Sequence, residues 1–168
     1  ENIIYFMTVD FILKEKWSLW YHELNDNKWT IDSYKKIMDL EKYSDVLFML
    51  NNYESINSGM FFLMKYGIKP IYEDKKNIKG GYWSIRVTKK DSNFFWRKFT
   101  YYLCLDRITD SDENDNLING LSISPKINNS IFKIWNCDFK NINKELIRND
   151  LDFIKNDELI YLEHKENK

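Results

Sequence analysis

The sequence predicts an α+β fold built on an antiparallel sheet, and three observations carry that prediction. Short segments with apolar side chains at every second position recur along the chain, Trp83, Ile85 and Val87 being the clearest. Segments with helical apolar spacing stand singly among them, without the strand–helix–strand alternation of a parallel sheet. The 168 residues contain no repeat, no linker and no shift of composition, so they make one domain large enough to bury a real core.

Glu1 to Phe11 has no clear period and reads as a flexible N-terminal arm, leaving 12–168 as the domain. From Ile12, the positions of Leu13, Trp17, Leu19 and Tyr21 predict a strand with one aromatic face. Asn25-Asp26-Asn27-Lys28 is a turn cluster that delivers Trp29 at a loop tip. Tyr34 to Met38 reads as a short strand or edge element. Ser44 opens a helix whose stripe is Val46, Met49, Leu50 and Tyr53. Phe48 falls about 150° from the centre of that stripe at about 100° per residue, which makes it a candidate docking residue.

Gly67 to Pro70 is a turn, Gly80-Gly81 closes a loop, and Trp83 starts the alternating strand. Phe94 to Leu105 is a second helix, apolar nearly all round. Phe95, Trp96, Phe99, Tyr102 and Leu103 form its broad face, and Phe94, Tyr101 and Leu105 lie opposite. Two apolar faces imply that one packs on the sheet and something else covers the other. Asp106 to Asn119 reads as a flexible acidic loop. Leu121 to Ser124 and Ile131 to Trp135 form a hairpin around Pro125 to Ser130. Asn143 to Ile154 reads as a third amphipathic helix, and Leu159 to Leu162 as a last strand.

Aromatics make up 17% of the chain, with six Trp and eleven Tyr, more than a core of this size asks for. Some must be on display for stacking or docking. A net charge of −1 excludes the broad basic field that grips duplex nucleic acid, so any phosphate contact must come from a few placed cations. Cys104 and Cys137 lack CxxC spacing, and two thiols without a secretory signal suit a reducing compartment and a cytoplasmic location. Cys104 reads as a small buried hydrophobe. His22 and His164 sit in no motif and receive no role. No metal site, cofactor, membrane span or nucleophile–base set is visible, and the chain is not expected to be an enzyme. Ala and Gln are absent while Lys, Asn and Ile abound, as in coding from an AT-rich genome such as that of a protozoan or a large DNA virus.

The segment Phe62 to Trp83, FLMKYGIKPIYEDKKNIKGGYW, sets an aromatic beside an acid, Tyr72-Glu73, ahead of a Gly-Gly turn and a Trp-initiated strand. An aromatic next to a carboxylate can stack on a flat base and accept hydrogen bonds from its edge. With Trp17, Trp20, Trp29, Trp83, Trp96 and Trp135, which match six of the family's characteristic tryptophan positions, the chain resembles the cap-binding translation initiation factor 4E family from about Ile12 to Lys165. The resemblance implies a curved antiparallel sheet with three helices on its convex face. It also implies a slot for the 7-methylguanosine cap of mRNA on the concave one. Trp29 and Tyr72 would sandwich the methylated base, whose delocalised positive charge makes each stack worth roughly 1–2 kcal/mol. Glu73 would read the base edge and Lys126 would hold phosphate. The remaining tryptophans are expected mainly in the core.

The sequence departs from the family pattern at several places. Tyr72 stands where Trp is usual. Ile131 falls on a phosphate-binding lysine, a loss for which Lys133 or Asn128 could compensate, and Tyr82 replaces a further arginine. The family also implies a docking face for a scaffold or repressor protein carrying a Tyr-x4-Leu-apolar helix, here formed by Ile12, Leu13, Phe48 and Tyr101. On the second helix two registers are open. One turns Arg97 and Tyr101 outward, the other Phe99 and Leu103. The first keeps the broad apolar face inward. The expected function is cap binding with recruitment of mRNA through a scaffold. The alternatives are a cap-sequestering repressor that does not engage the scaffold and an adaptor that keeps only the docking face.

Overall fold

A computed structural model describes residues 10–53, 58–140, 146–147 and 159–164. In chain order the elements are β1 (Ile12–His22), β2 (Tyr34–Lys42), α1 (Tyr43–Asn52), β3 (Met60–Lys65), β4 (Gly81–Thr88), α2 (Ser92–Cys104), α3 (Asp112–Asp115), β5 (Ile118–Pro125), β6 (Asn129–Asn136) and β7 (Ile160–Glu163). The seven strands form one curved antiparallel sheet in the order β2-β1-β3-β5-β6-β4-β7.

Register divides the sheet into a core face and a site face. One row of paired residues, Leu19, Leu63, Leu121, Ile134, Trp83 and Tyr161, runs from β1 to β7. Its first five members are fully buried against the helices. The neighbouring row, Trp20, Phe62, Ser122, Lys133 and Ser84, faces the other way because successive side chains of a strand alternate between faces. Next to it on that side lies the row Met64, Gly120, Trp135, Tyr82 and Leu162. A slip of one residue in β5 or β6 would exchange the two faces, and the apolar content of the core row opposes it.

The helices cover the core face. In α1 the Asp45 carboxylate accepts from the backbone N–H of Glu41 and Lys42, at 2.8 and 2.9 Å, and so caps the helix start from inside. Val46, Met49 and Leu50 are buried, and Phe48 on the opposite side is 56% exposed. In α2 the buried side chains include Trp96, Phe99, Leu103 and Cys104, while Phe94 and Leu105 are about half exposed. The register with Arg97 and Tyr101 outward is therefore the one adopted. Ser92 Oγ donates to the carbonyl of Thr88 at 2.9 Å and can accept from the Ser130 hydroxyl at 2.8 Å, tying the helix start to β4 and β6.

Four features differ from, or add to, what the sequence predicts. β2 runs four residues beyond Met38 and is the sheet's edge strand. The acidic stretch after Asp106 is structured: Asp115 is buried and its Oδ1 accepts from Thr109 N–H at 3.0 Å and Thr109 Oγ1 at 2.9 Å. Those bonds organise α3 and place Ile108 in the core, which a solvated loop would not do. Asp10 and Phe11 are anchored, since Phe11 O accepts from Tyr43 N–H at 2.8 Å and Asp10 accepts from the Ser44 hydroxyl at 2.7 Å. The helix expected over Asn143 to Ile154 lies outside the described residues except for Leu146 and Ile147. Both of these are buried, and Ile147 forms an antiparallel bridge with Thr109.

Candidate functional site

The site face carries a hollow of about 530 Å³ at the centre of the sheet. Trp29, Tyr72, Glu73 and Lys126, the four residues singled out in the sequence, all line it, together with Ile131, Lys133 and Trp135. Its floor is formed by Tyr34, Met60, Phe62 and Trp135, which with Met64 and Ile68 make a second apolar cluster separate from the core beneath the helices.

Trp29 projects from the β1–β2 loop and is 52% exposed. The loop is shaped by short local bonds. Asp26 Oδ1 accepts from Lys28 N–H at 2.8 Å, and the carbonyls of Lys28 and Thr30, each 2.7 Å from Ser33 Oγ, share its one hydroxyl proton. Behind the indole lies His22, which is fully buried and stacked on it at 4.6 Å between ring centroids. The two ring nitrogens of His22 meet the carbonyl oxygens of Glu23 and Lys28 at 2.9 and 2.7 Å. His22 thus has a structural task that its isolation in the sequence concealed.

Tyr72 and Glu73 stand on the loop between β3 and β4, which is bonded throughout. Gly67 takes a φ of 83°, open to glycine at little cost, and turns the chain out of β3. Asp74 accepts from Lys69 N–H at 3.0 Å and Lys76 N–H at 2.9 Å. The Asn77 amide donates to the carbonyls of Lys69 and Ile71 at 3.0 and 2.7 Å, and Asn119 of β5 donates to Asn77 Oδ1 at 2.9 Å. The loop ends where a Cβ on Gly80 would fall on the carbonyl of Asn136, so only glycine allows the close pass. Glu73 is exposed to the hollow. Burial, with the Glu73 carboxylate adding to it, holds the Tyr34 phenol well above its ordinary pKa.

Two cations share the other wall. Lys126 is exposed at the tip of the β5–β6 hairpin, and Lys133 is half-buried on β6 with its Nζ 4.0 Å from the centre of the Tyr82 ring. Burial and then the charge of Lys126 push the Lys133 ammonium below its ordinary pKa. A ligand anion between the two would relieve that repulsion. His164 packs on Trp135 and Tyr82 at 5.0 and 5.4 Å, and burial followed by the Lys133 charge lowers it to about 4. Trp135, expected in the core, forms part of the floor and donates from Nε1 to Ser122 Oγ at 2.9 Å. The signal for both Lys133 and Trp135 was in the alternation of β6. Phe132 and Ile134 point to the core, so Ile131, Lys133 and Trp135 must point to the hollow.

The four residues expected to dock a partner lie on the helix side. Ile12 is 80% exposed and Phe48 also stands out, while Leu13 is buried and shows only at the edge of a shallow hollow with Ile12. Tyr101 is half-buried, with its ring 6.4 Å from that of Tyr43, and lines a second hollow. Cys104 is buried, which raises its thiol far above the ordinary range, and both cysteines are free thiols. Among the described residues no cluster of His, Cys, Asp and Glu could hold a metal ion. No helix among them is long and apolar enough to cross a membrane.

The hollow offers two flat aromatic surfaces, a carboxylate and a pair of cations. That arrangement can hold a planar base with edge donors and a phosphate chain. Comparison with known proteins agrees with the architecture. The family model described as "Eukaryotic initiation factor 4E" matches residues 12–168. The chain is 34% identical over 82 residues to eukaryotic translation initiation factor 4E-3 of Caenorhabditis elegans, across 46% of this chain and 33% of that protein. It is 28% identical over 138 residues to eukaryotic translation initiation factor 4E of Xenopus laevis, across 77% of this chain and 63% of that one. The match thus spans a third of the length of the first relative and under two thirds of the second. Among solved structures, that of Ascaris suum eIF4E-3 with m7G cap has a TM-score of 0.70 at 23% identity, covering 79% of this chain and 76% of that one. Schistosome eIF4E complexed with m7GpppG and 4E-BP has a TM-score of 0.71 at 24% identity, covering 79% and 75%. At these identities the likeness is one of fold.

Proposed function

The chain belongs to the eukaryotic initiation factor 4E family, and on that premise we propose that it binds the 7-methylguanosine cap of mRNA in the hollow of the site face. The observation that carries the reading is the convergence of Trp29, Tyr72, Glu73, Lys126 and Lys133 on one cavity from three separate segments of the chain. Trp29 and Tyr72 stack on the two faces of the charged base. Unmethylated guanine, lacking the charge, forfeits the cation–π part of each stack. Glu73 accepts the two edge N–H groups as charge-assisted bonds. Lys126 and Lys133 take the triphosphate, Lys133 standing in for the cation absent at Ile131.

In this reading the protein is a binding factor and not an enzyme. It works in the cytoplasm, where a scaffold protein docked near Ile12, Phe48 and Tyr101 brings the bound message to the ribosome. The eIF4E relatives of known structure carry cap ligands and 4E-binding proteins together, which supports the pairing of a cap face with a docking face. The test is quenching of tryptophan fluorescence by 7-methyl-GTP, with GTP as control, on the wild type and on Glu73→Ala. Quenching by the methylated nucleotide alone, lost in the variant, is the expected result. Equal quenching by both nucleotides, or none, would overturn the proposal.

A further inference from the structure

We propose that the partner helix received by the outer face of α2 is acidic on its flanks. The inference rests on the docking role just proposed and adds the chemistry of the partner. The face is apolar at its centre. Leu105 belongs to two adjoining hollows, of about 500 and 390 Å³, and its side chain is 50% exposed. Ile12 and Phe11 flank it on one side, and Phe94, 49% exposed, on the other. An apolar stripe of this kind receives the i, i+4, i+7 anchors of an amphipathic helix.

At the larger hollow the charges are one-sided. Arg97, Lys98 and Arg107 all line the larger hollow, and no carboxylate does. A chain of net charge −1 has gathered three cations at one hollow. Among the described residues neither arginine is in an ion pair; Arg97 donates from Nη1 to the carbonyl of Leu50 at 3.0 Å, which fixes its head group at the rim. The smaller hollow is mixed in sign, since Lys14 and Asp106 both line it and Lys14 is paired with Asp112 at 3.4 Å, so the excess of positive charge sits at the larger one. A partner with Lys or Arg between its apolar anchors would set like charges face to face across a partly desolvated rim, which costs affinity. One with Asp or Glu there gains on-rate and selectivity.

The experiment uses the full chain and two labelled helical peptides with the same Tyr-x4-Leu-Leu anchors. One carries Glu and the other Lys at two intervening positions, and binding is read by fluorescence anisotropy at low and high salt. The acidic peptide is expected to bind about tenfold more tightly at low salt, with the gap closing at high salt. Lys98→Glu with Arg107→Glu should reverse the preference while quenching by 7-methyl-GTP, read on the same sample, stays unchanged and certifies the fold. Equal binding of the two peptides, or preference for the basic one, would overturn the charge inference and leave the docking face standing. Failure of both peptides to bind the wild type would overturn the docking face itself, and the inference with it.

Discussion

The indole of Trp29 lies 2° from parallel with the imidazole of His22, face to face, and the ring nitrogens of the imidazole lie 2.9 and 2.7 Å from two carbonyls of the loop that carries Trp29, one of which takes its N–H. A tryptophan on a loop tip would otherwise sample several rotamers, and ordering one on binding costs about 0.5–1.5 kcal/mol. Here the ordering precedes the ligand. His22→Ala is expected to weaken 7-methyl-GTP binding about tenfold, whereas His22→Phe, which keeps a stacking ring, should retain more of the affinity. Quenching titrations on both variants check this. Equal losses would show that the carbonyl anchors, and not the stack, hold the plate.

The two cations of the hollow differ in setting, and the difference is testable with ligands of increasing phosphate content. Lys133 is half-buried and electrostatically strained by Lys126, so a phosphate beside it stabilises the charged form. Lys133→Met should leave binding of 7-methylguanosine nearly unchanged and weaken 7-methyl-GTP by about tenfold, or roughly 1.4 kcal/mol. A matching loss for the nucleoside would assign Lys133 to the fold of the hollow and not to phosphate.

Stability should fall with acid in a definite window. The folded-state pKa of His164 is about 4 against an ordinary 6.5. Between those values the unfolded chain holds the extra proton, so stability rises with pH across the interval and is lost as pH falls through it. Allowing for the ring's partial exposure, the effect is about 2 kcal/mol. Urea midpoints at pH 4.5 and 7 should differ less in His164→Phe than in the wild type.

Asp115 offers a prediction far from the hollow. Its buried carboxylate holds both the N–H and the hydroxyl of Thr109. Asp115→Ala strands the Thr109 N–H, while the hydroxyl keeps the Ser111 carbonyl at 2.9 Å, and should cost about 1–3 kcal/mol in chemical denaturation. The isosteric Asp115→Asn keeps an acceptor and should cost less.

Much of this was written in local spacing. The alternation of Trp83, Ile85 and Val87 and the stripe of Val46, Met49 and Leu50 follow from burial on one face, and a resemblance in six tryptophans and Tyr72-Glu73 led to four of the hollow's lining residues. What escaped was set by contacts between segments distant in the chain. Nothing in Asp110 to Asp115 advertises that one carboxylate turns inward, because that depends on Thr109 presenting two donors at once. His22 looked idle because its partners are a ring seven places on and two backbone carbonyls. Lys133 and Trp135 needed the register of β6 against β5, which apolar alternation supplies only after the core face is known.

The bond from Asn119 to Asn77 has a bearing on biosynthesis. The loop that carries Tyr72 and Glu73 is closed by a side chain more than forty positions downstream, and Lys133 follows later still. While the protein is being made, Trp29 and Glu73 leave the ribosome well before the strand that locks them together. On the cap-binding reading proposed above, a nascent chain cannot capture the capped end of the message being read until β5 and β6 have emerged. The hollow is thereby closed only in chains whose β5 and β6 have already emerged and paired.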